Sequence, residues 1–354
     1  IRVVTIAPGL FDTPMMASGE PDAQRASVSN GKVVYARVSY SPHVPKRRSD
    51  LFIVNADGTG RSRLTHNLSS SDPQWAPNGG RIAFIRGTSA RAGWPPSGLG
   101  ALTVMNRDGT NRRRLFVADE FRGIAWSPDG RSIALAARVE GSGFDVWIVN
   151  VKTGRAASIA SGADYETNPV WSPDGSRVAY EQEYRSDDAY GAWLMVYSVA
   201  SGEAVRVTPD NTGRTGPHAA QPAWSPDGTR LAYAEFNAYE DGLNFGYFNI
   251  ATVGTDGSGV HVLTHNTKRD CQNPTWGPVA NRILFDRGQY PDESGSGFSE
   301  AIVSIKPDGR DRVALIKTGE RLVGWSPDGE WVLGIRPGYN GDFPTHAPGI
   351  YAMR

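Results

Sequence analysis

Short apolar runs alternate with turn residues along nearly the whole chain. Representative runs read RIAFI, SIALA, RVAYE, RLAYA and RILFD. Each follows a Trp-Ser-Pro-Asp-Gly turn or a degenerate copy of it, and a further apolar run leads to a second turn such as NADGTG or NRDGTN. Asp-Gly and Asn-Gly between apolar stretches mark tight hairpins, because glycine accepts positive φ without steric cost. Each unit therefore predicts four antiparallel strands.

The unit repeats with a nearly fixed period. Six tryptophans open the first turns: Trp75, Trp126, Trp171, Trp224, Trp276 and Trp325. Their spacing is 45 to 53 residues, and a seventh copy without tryptophan is placed at 27–31. Four strands per unit at this period are typical of a propeller blade, and no stretch keeps a helical period. We predict an all-β, seven-bladed β-propeller of four-stranded antiparallel blades, with six or eight blades as alternatives.

The predicted propeller is a single domain over residues 1–354. The last unit lacks a fourth strand, and residues 1–8 form an apolar strand that is expected to complete it, which removes a free sheet edge. The blades are assigned to 26–66, 70–117, 121–160, 165–209, 218–265, 271–317 and 320–354. As an alternative, residues 1–15 resemble a strand-and-loop stretch of short-chain dehydrogenases, although no GxGxxG nucleotide loop accompanies them.

The motif residues themselves are expected to be structural. Tryptophan at the end of the innermost strand fills the wedge between neighbouring blades, and proline presets φ for the turn. The aspartates of the turns are expected to cap their own backbone: Asp129, Asp174, Asp227 and Asp328. None of these residues is a catalytic candidate.

Composition and charge narrow the classes of partner. Lys plus Arg and Asp plus Glu each number 37, so the formal net charge is zero and no nucleic-acid partner is expected. The single cysteine excludes an intrachain disulfide, and no apolar run is long enough for a membrane-spanning helix. GxSxG, HExxH, P-loop and CxxC motifs are absent from the sequence. The sequence therefore contains no motif that would indicate a hydrolase, a kinase or an oxidoreductase.

Long connections are predicted at one end of the ring. In each blade the first-to-second and third-to-fourth turns share one end, here called the turn face, and the other connections share the opposite end, the loop face. Connections such as 39–49 and 183–190 are predicted as long loops, where binding residues usually lie. Candidate ligand-binding residues on this face are Arg48, Tyr184, Tyr190, Tyr239, Arg287, Tyr290 and Tyr339. Aromatic rings with interspersed arginines suit sugars, acidic oligosaccharides or peptides.

Three loop-face residues form a candidate metal site. His218 and Cys271 lie six and five residues before the tryptophans of adjacent blades, so both are expected at the channel rim. His346 lies on a connection of the last blade. Imidazole and thiolate are ligands that Zn²⁺ favours. Such a site could hold a structural Zn²⁺ or Ca²⁺, and the alternative is a rim thiol with two ordinary surface imidazoles.

The repeated WSPDG-x-RIAF and VNxDGTGxxRLT pattern resembles the TolB-type propeller repeats, often called PD40, a WD40-like class. The resemblance spans blades 1 to 7. It implies an exported bacterial protein, periplasmic or extracellular, that binds a protein or envelope partner through its loop face.

The same resemblance implies an alternative, since some secreted propellers related to this class are polysaccharide lyases that act on uronic-acid polymers such as ulvan. In such a lyase a His or Tyr abstracts a proton and an Arg neutralises the uronate carboxylate. The residues that could take these roles are His43, His66, Tyr165, Arg112 and Arg185.

Overall fold

The structure, a computed structural model, consists of β-strands and their connections. It describes residues 3–5, 26–41, 44–67, 69–87, 99–141, 143–160, 165–185, 190–209, 218–238, 246–265, 269–278, 281–289, 298–316, 321–325, 332–336 and 349–353. The strands, numbered in chain order, form seven four-stranded antiparallel sheets. These residues contain no helix, and hence none with the length and apolar character needed to cross a membrane.

Six sheets are blades built from four strands that are consecutive in sequence. Blades 1 to 3 contain β2 (Ala26–Ser29), β3 (Lys32–Ser41), β4 (Val44–Asn55) and β5 (Ser62–Arg63); β6 (Ser70–Trp75), β7 (Arg81–Gly87), β8 (Gly100–Asn106) and β9 (Arg113–Ala118); β10 (Glu120–Trp126), β11 (Ser132–Arg138), β12 (Phe144–Asn150) and β13 (Ala156–Ala160). Blades 4 to 6 contain β14 (Tyr165–Trp171), β15 (Arg177–Arg185), β16 (Tyr190–Ser198) and β17 (Ala204–Arg206); β18 (His218–Trp224), β19 (Arg230–Ala238), β20 (Gly246–Gly254) and β21 (His261–Val262); β22 (Asp270–Trp276), β23 (Ile283–Gln289), β24 (Phe298–Ile305) and β25 (Val313–Ile316).

The seventh sheet is composite. It contains β26 (Arg321–Trp325), β27 (Val332–Arg336), β28 (Gly349–Met353) and β1 (Val3–Thr5). Strand β1 pairs with β28 in antiparallel register, and β26 packs against both β22 of blade 6 and β2 of blade 1. Counted as continuous four-strand blades, there are therefore six rather than the expected seven, and the remaining sheet joins strands from distant parts of the sequence.

The Trp-Ser-Pro-Asp-Gly turns are held by their own side chains. The hydroxyl of Ser172 donates to Asp174 (2.6 Å), which also accepts the backbone N–H two residues further on (3.0 Å). Asp129 and Asp227 repeat this arrangement. These hydrogen bonds lower the pKa of all three carboxyls, to about 2 at Asp174. The predicted capping is confirmed at these positions, whereas Asp328 lies outside the described residues.

The core consists of apolar layers between neighbouring blades. Leu194 of blade 4 packs in one cluster with Leu231 and Trp224 of blade 5, and comparable clusters join other neighbouring blades. The motif tryptophans Trp75, Trp126, Trp224 and Trp276 are buried, and Trp171 and Trp325 are half-buried. This confirms their predicted packing role, because each closes the wedge beside the inner strand.

Arginines fix neighbouring blades to one another at the turn face. Arg177 of blade 4 donates through Nη2 to the carbonyl of Gly228 in blade 5 (2.7 Å), and its guanidinium lies 4.9 Å from the centre of the Trp224 ring. Arg81 of blade 2 makes the same pair of contacts with blade 3. These two arginines thus help to hold neighbouring blades together.

Candidate functional site

Two connections that were predicted as loops are paired strands at the loop face in the parts that the structure describes. Strands β3 and β4 stay paired as far as Ser41 and Val44, with a register shift after Ser39, so most of 39–49 is a hairpin. Strands β15 and β16 likewise pair as far as Arg185 and Tyr190. The loop prediction was wrong there because both stretches contain tyrosine or valine residues that favour paired strands. The loop face therefore carries paired strands beside its longer connections.

The inner strands of blades 2 to 6 carry a β-bulge near the channel. The residue three positions before the motif tryptophan has a positive φ, as found at Asp72, Gly123, Asn168, Gln221 and Asn273. In four of the five blades the next residue is proline, which has no N–H to give to a strand ladder and is therefore tolerated at bulges. At Gln221 and Asn273, the backbone N–H of the bulged residue itself bonds outside its own sheet.

A buried carboxylate receives such an N–H at the junction of blades 4 and 5. Oε1 of Glu181 accepts the backbone N–H of Gln221 (2.5 Å) and the side-chain amide of Asn168 (2.8 Å). The Gln221 side-chain oxygen in turn accepts the backbone N–H of Asn273 in blade 6 (2.7 Å). Glu181 is only 4 % exposed, and burial raises the pKa of its carboxyl.

Asp286 continues this chain of hydrogen bonds to the composite sheet. It accepts the side-chain amide of Asn273 (3.0 Å) and the backbone N–H of Leu322 (2.7 Å). We call Asn168, Glu181, Gln221, Asn273 and Asp286 the polar girdle. Its oxygens accept hydrogen bonds both within a blade and from the next sheet, so the girdle links blades 4, 5 and 6 to the composite sheet.

A second group of polar residues lies on the loop face between blades 3 and 4. The guanidinium groups of Arg122 and Arg138 lie 4.2 Å and 5.7 Å, respectively, from the centre of the Phe144 ring. Glu120 bonds to Arg138 (2.8 Å) and is 3.9 Å from Arg122. The ring of Tyr165, 40 % exposed, is 6.0 Å from that of Phe144. We call these five residues the arginine cluster.

His218 lies at the loop face of blade 5 among aromatic rings. It contacts Phe248 edge-to-face at 6.0 Å, and Phe236 lies 5.2 Å from the same ring. Burial lowers the pKa of His218, and the Glu183 carboxylate opposes this effect more weakly. The imidazole is therefore neutral near neutral pH, as is expected for a histidine packed against rings.

The structure does not bring the candidate catalytic residues together. Arg112 lies in a tight turn on the turn face, where its Nη2 donates to a backbone carbonyl of blade 1 (2.6 Å), so its predicted role beside a loop-face base is wrong. His66 is exposed on the connection from blade 1 to blade 2, and Tyr165 begins blade 4. His43 and the side chain of Arg185 lie outside the described residues.

The candidate ligand-binding residues have several different environments. Tyr184 stacks on Trp193 with ring centres 4.3 Å apart, which occupies one of its faces. Arg287 is half-buried, and its Nε has no hydrogen-bond partner within the described part of the chain. Arg48 and Tyr190 lie in strands, but their side chains are not described, and Tyr239, Tyr290 and Tyr339 lie wholly outside the described residues.

Cys271 is not at the channel rim. It is completely buried in the apolar layer between blades 5 and 6, and burial raises the pKa of its thiol to about 11. His218 is the first residue of β18, whereas Cys271 is the second residue of the equivalent strand β22. Because successive strand residues point to opposite faces of a sheet, the two side chains do not point to the same site. The described residues contain no His, Cys, Asp or Glu group suited to a metal ion, and His346 lies outside them.

Sequence reasoning missed the arginine cluster around Arg122 and Phe144 and the polar girdle around Glu181. Part of the girdle has a visible signal: Asn-Pro or Gln-Pro three residues before the motif tryptophan recurs at Asn168, Gln221 and Asn273. The arginine cluster has no comparable signal, because its members come from four strands of two blades.

Comparison of the amino-acid sequence with known proteins identifies a family of propeller domains. The model of the family described as TolB beta propeller domain, PD40, matches residues 104–329. The uncharacterized peptidase YuxL of Bacillus subtilis is 26% identical over 62% of this chain and 31% of its own length. Dipeptidyl-peptidase 5 of Porphyromonas gingivalis is 30% identical over 37% of this chain and 21% of its own. The Tol-Pal system protein TolB of Francisella tularensis is 22% identical over 57% and 53%. The chain thus spans only about a fifth to a half of these relatives.

Solved structures show the same fold. TolB from Acinetobacter baumannii superposes with a TM-score of 0.52 at 20% identity, covering 82% of this chain and 65% of the other. The β-propeller domain of the Trilobed protease from Pyrococcus furiosus gives 0.66 at 13% identity, covering 95% and 94%. Oligogalacturonate lyase from Vibrio parahaemolyticus gives 0.66 at 12% identity, covering 99% and 96%. At these identities the likeness concerns the propeller alone.

Proposed function

Since the chain belongs to the TolB beta propeller domain family, we propose that it is an exported binding module that engages a peptide or protein partner through its loop face. The partner lies against the channel mouth, where the arginine cluster and the aromatic groups of blades 4 and 5 are placed. The periplasm is the compartment that we propose, by analogy with the Tol-Pal system protein TolB.

The observation that carries this proposal is the contrast between the two faces. At the turn face, aspartates bond to their own turns and arginines bond to carbonyls of the next blade. At the loop face, Tyr165 is 40 % exposed beside the arginine pair of Arg122 and Arg138. Exposed aromatic and arginine side chains on a rigid scaffold are the groups that contribute most to protein recognition.

The relatives support a peptide or protein as the partner. Two of them carry peptidase names and a third carries a Tol-Pal system name, so both groups use a propeller of this class within longer proteins. The polysaccharide lyase is not the function that we propose, because its candidate Arg112 lies on the turn face and the side chain of its other candidate, Arg185, lies outside the described residues.

A selection from a phage library of random peptides on the immobilised protein tests the proposal. We expect selected peptides to bind wild-type protein in fluorescence anisotropy and to bind Tyr165→Ala about tenfold more weakly, as at an interface anchor. Val205→Ala is the control, since Val205 is also exposed, by 54 %, but lies on the outer strand of the same blade. Failure to select any peptide, or equal binding to both variants, contradicts a loop-face binding role.

A further inference from the structure

The bulge in β10 determines where the Arg122 side chain lies. The register between β10 and β11 shifts between Arg122 and Ile124, and Gly123 in between has a φ of 75°. A Cβ on Gly123 would approach Pro169 of blade 4 to 3.4 Å, so the bulge is fitted against the next blade. A bulge of this kind re-aims the neighbouring side chain. The Arg122 guanidinium consequently lies over Phe144 of its own blade.

Stacking leaves the hydrogen-bonding edge of Arg122 available. A guanidinium on an aromatic ring is held by its face, while its N–H groups point outward in the plane. The nearest carboxylate oxygen, on Glu120, is 3.9 Å away, which is too long for a hydrogen bond. The Arg122 side chain is 47% exposed, so its fork can reach a ligand from solvent.

Charge at the arginine cluster is not balanced. Glu120 is committed to Arg138 at 2.8 Å and is itself only 14% exposed. Asp119, the adjacent acidic residue, accepts the backbone N–H of Gly141. Glu183 lies opposite Tyr165 in the strand register, but it is in blade 4 and acts on His218 of blade 5. Among the described residues, Glu120 is therefore the one carboxylate with an ion-pair distance to Arg122 and Arg138.

Access to the cluster is open on the side of blade 3. Its second-to-third connection comprises residues 139–143, shorter than those of blades 2, 5 and 6 (88–99, 239–245 and 290–297) and longer than those of blades 1 and 4 (42–43 and 186–189). Both arginine side chains are partly exposed beside this connection, Arg122 by 47% and Arg138 by 38%. An extended segment could cross the rim there and reach both guanidinium groups.

From this arrangement we infer that the arginine cluster is a carboxylate-recognition site for an acidic peptide, in which Arg122 forms the bidentate contact and Tyr165 covers the adjoining residue. The carboxylate belongs to a glutamate or aspartate side chain or to a peptide C terminus. This inference rests on the proposed loop-face binding role and adds the chemical class of its partner.

A labelled Gly-Ser-Tyr peptide in three forms tests the inference: glutamate-containing with an amidated C terminus, glutamate-free with a free C terminus, and fully neutral. We expect wild-type protein to bind at least one acidic form more tightly than the neutral form. Arg122→Gln should reduce that binding about tenfold, the loss of a charged bidentate contact. Arg122→Lys keeps the charge but loses the planar guanidinium group, so its affinity should lie between those of wild type and Arg122→Gln.

Arg131→Gln is the matched control, because it removes the same charge from the same blade on the turn face, where Arg131 is 84% exposed. Equal losses in Arg122→Gln and Arg131→Gln would mean a general charge effect and overturn the inference, as would no preference for either acidic form. If library-selected peptides depend on Tyr165 while acidic peptides do not depend on Arg122, the proposed binding role stands and the inference alone fails.

Discussion

Trp224 and Trp171 occupy equivalent positions at the ends of inner strands, yet their indole groups have different partners. Nε1 of Trp224 donates to the carbonyl of Val170 in the preceding blade (3.1 Å), and Arg177 stacks on its ring. Nε1 of Trp171 is buried without a hydrogen-bond partner among the described residues. The same motif residue thus contributes unequally to the junctions between blades.

Replacement of these two tryptophans by phenylalanine should separate packing from hydrogen bonding. We expect Trp224→Phe to lower the free energy of unfolding by about 1 kcal/mol more than Trp171→Phe, because it alone leaves a carbonyl without its donor. Urea unfolding of both variants measures the difference. Equal destabilisation would show that the indole hydrogen bond adds nothing to the junction.

At the scale of the element, the bulge in the inner strand has two structural effects. It ends the pairing between the first and second strands locally, and it presents an N–H to the preceding blade, as Gln221 does to Glu181. A buried carboxylate is costly unless its oxygens accept hydrogen bonds. Glu181 receives them from Gln221, Asn168 and Thr167, which lie in two adjacent blades.

Burial raises the pKa of Glu181, so the folded protein keeps the proton to a higher pH than the unfolded chain does. Stability should therefore fall as pH rises from the ordinary glutamate pKa through the raised one. The Glu181→Gln variant has no titrating group at this position, so its stability should not show this fall. Its stability relative to that of wild type should therefore increase as the pH rises. Glu181→Ala should lose about 1–3 kcal/mol, because it leaves buried donors unsatisfied. Urea unfolding across a pH series tests both, and identical pH dependence of wild type and Glu181→Gln would contradict the raised pKa.

Turns could be predicted from the sequence because their causes are local. The capping of Asp174 depends on residues within two positions of it, and the motif that contains them is visible in the chain. The environment of Glu181 could not be predicted, because its partner Gln221 is 40 residues away and in another blade. Cys271 was misplaced for a similar reason, since only the strand register shows that its side chain points into the core.

At the scale of the whole molecule, the composite sheet is where the ring is closed. Strand β1 supplies the outer edge of that sheet by pairing with β28, while β26 packs between blades 6 and 1. The other outer strands are joined to their own sheets by tight turns, so each pairs locally. The β1–β28 pair joins residues that are far apart in sequence, and forming it costs more chain entropy.

A variant without residues 1–5 should therefore keep its sheets but have an open edge on β28. We expect a lower free energy of unfolding and some self-association by size-exclusion chromatography, because an unpaired strand edge accepts other strands. A synthetic peptide with the sequence IRVVTIA, residues 1–7, should bind this edge by strand addition and restore stability. A scrambled peptide of the same composition is the control. If both peptides act alike, β1 does not close the ring by specific pairing, and the apolar layers between blades must hold it closed on their own.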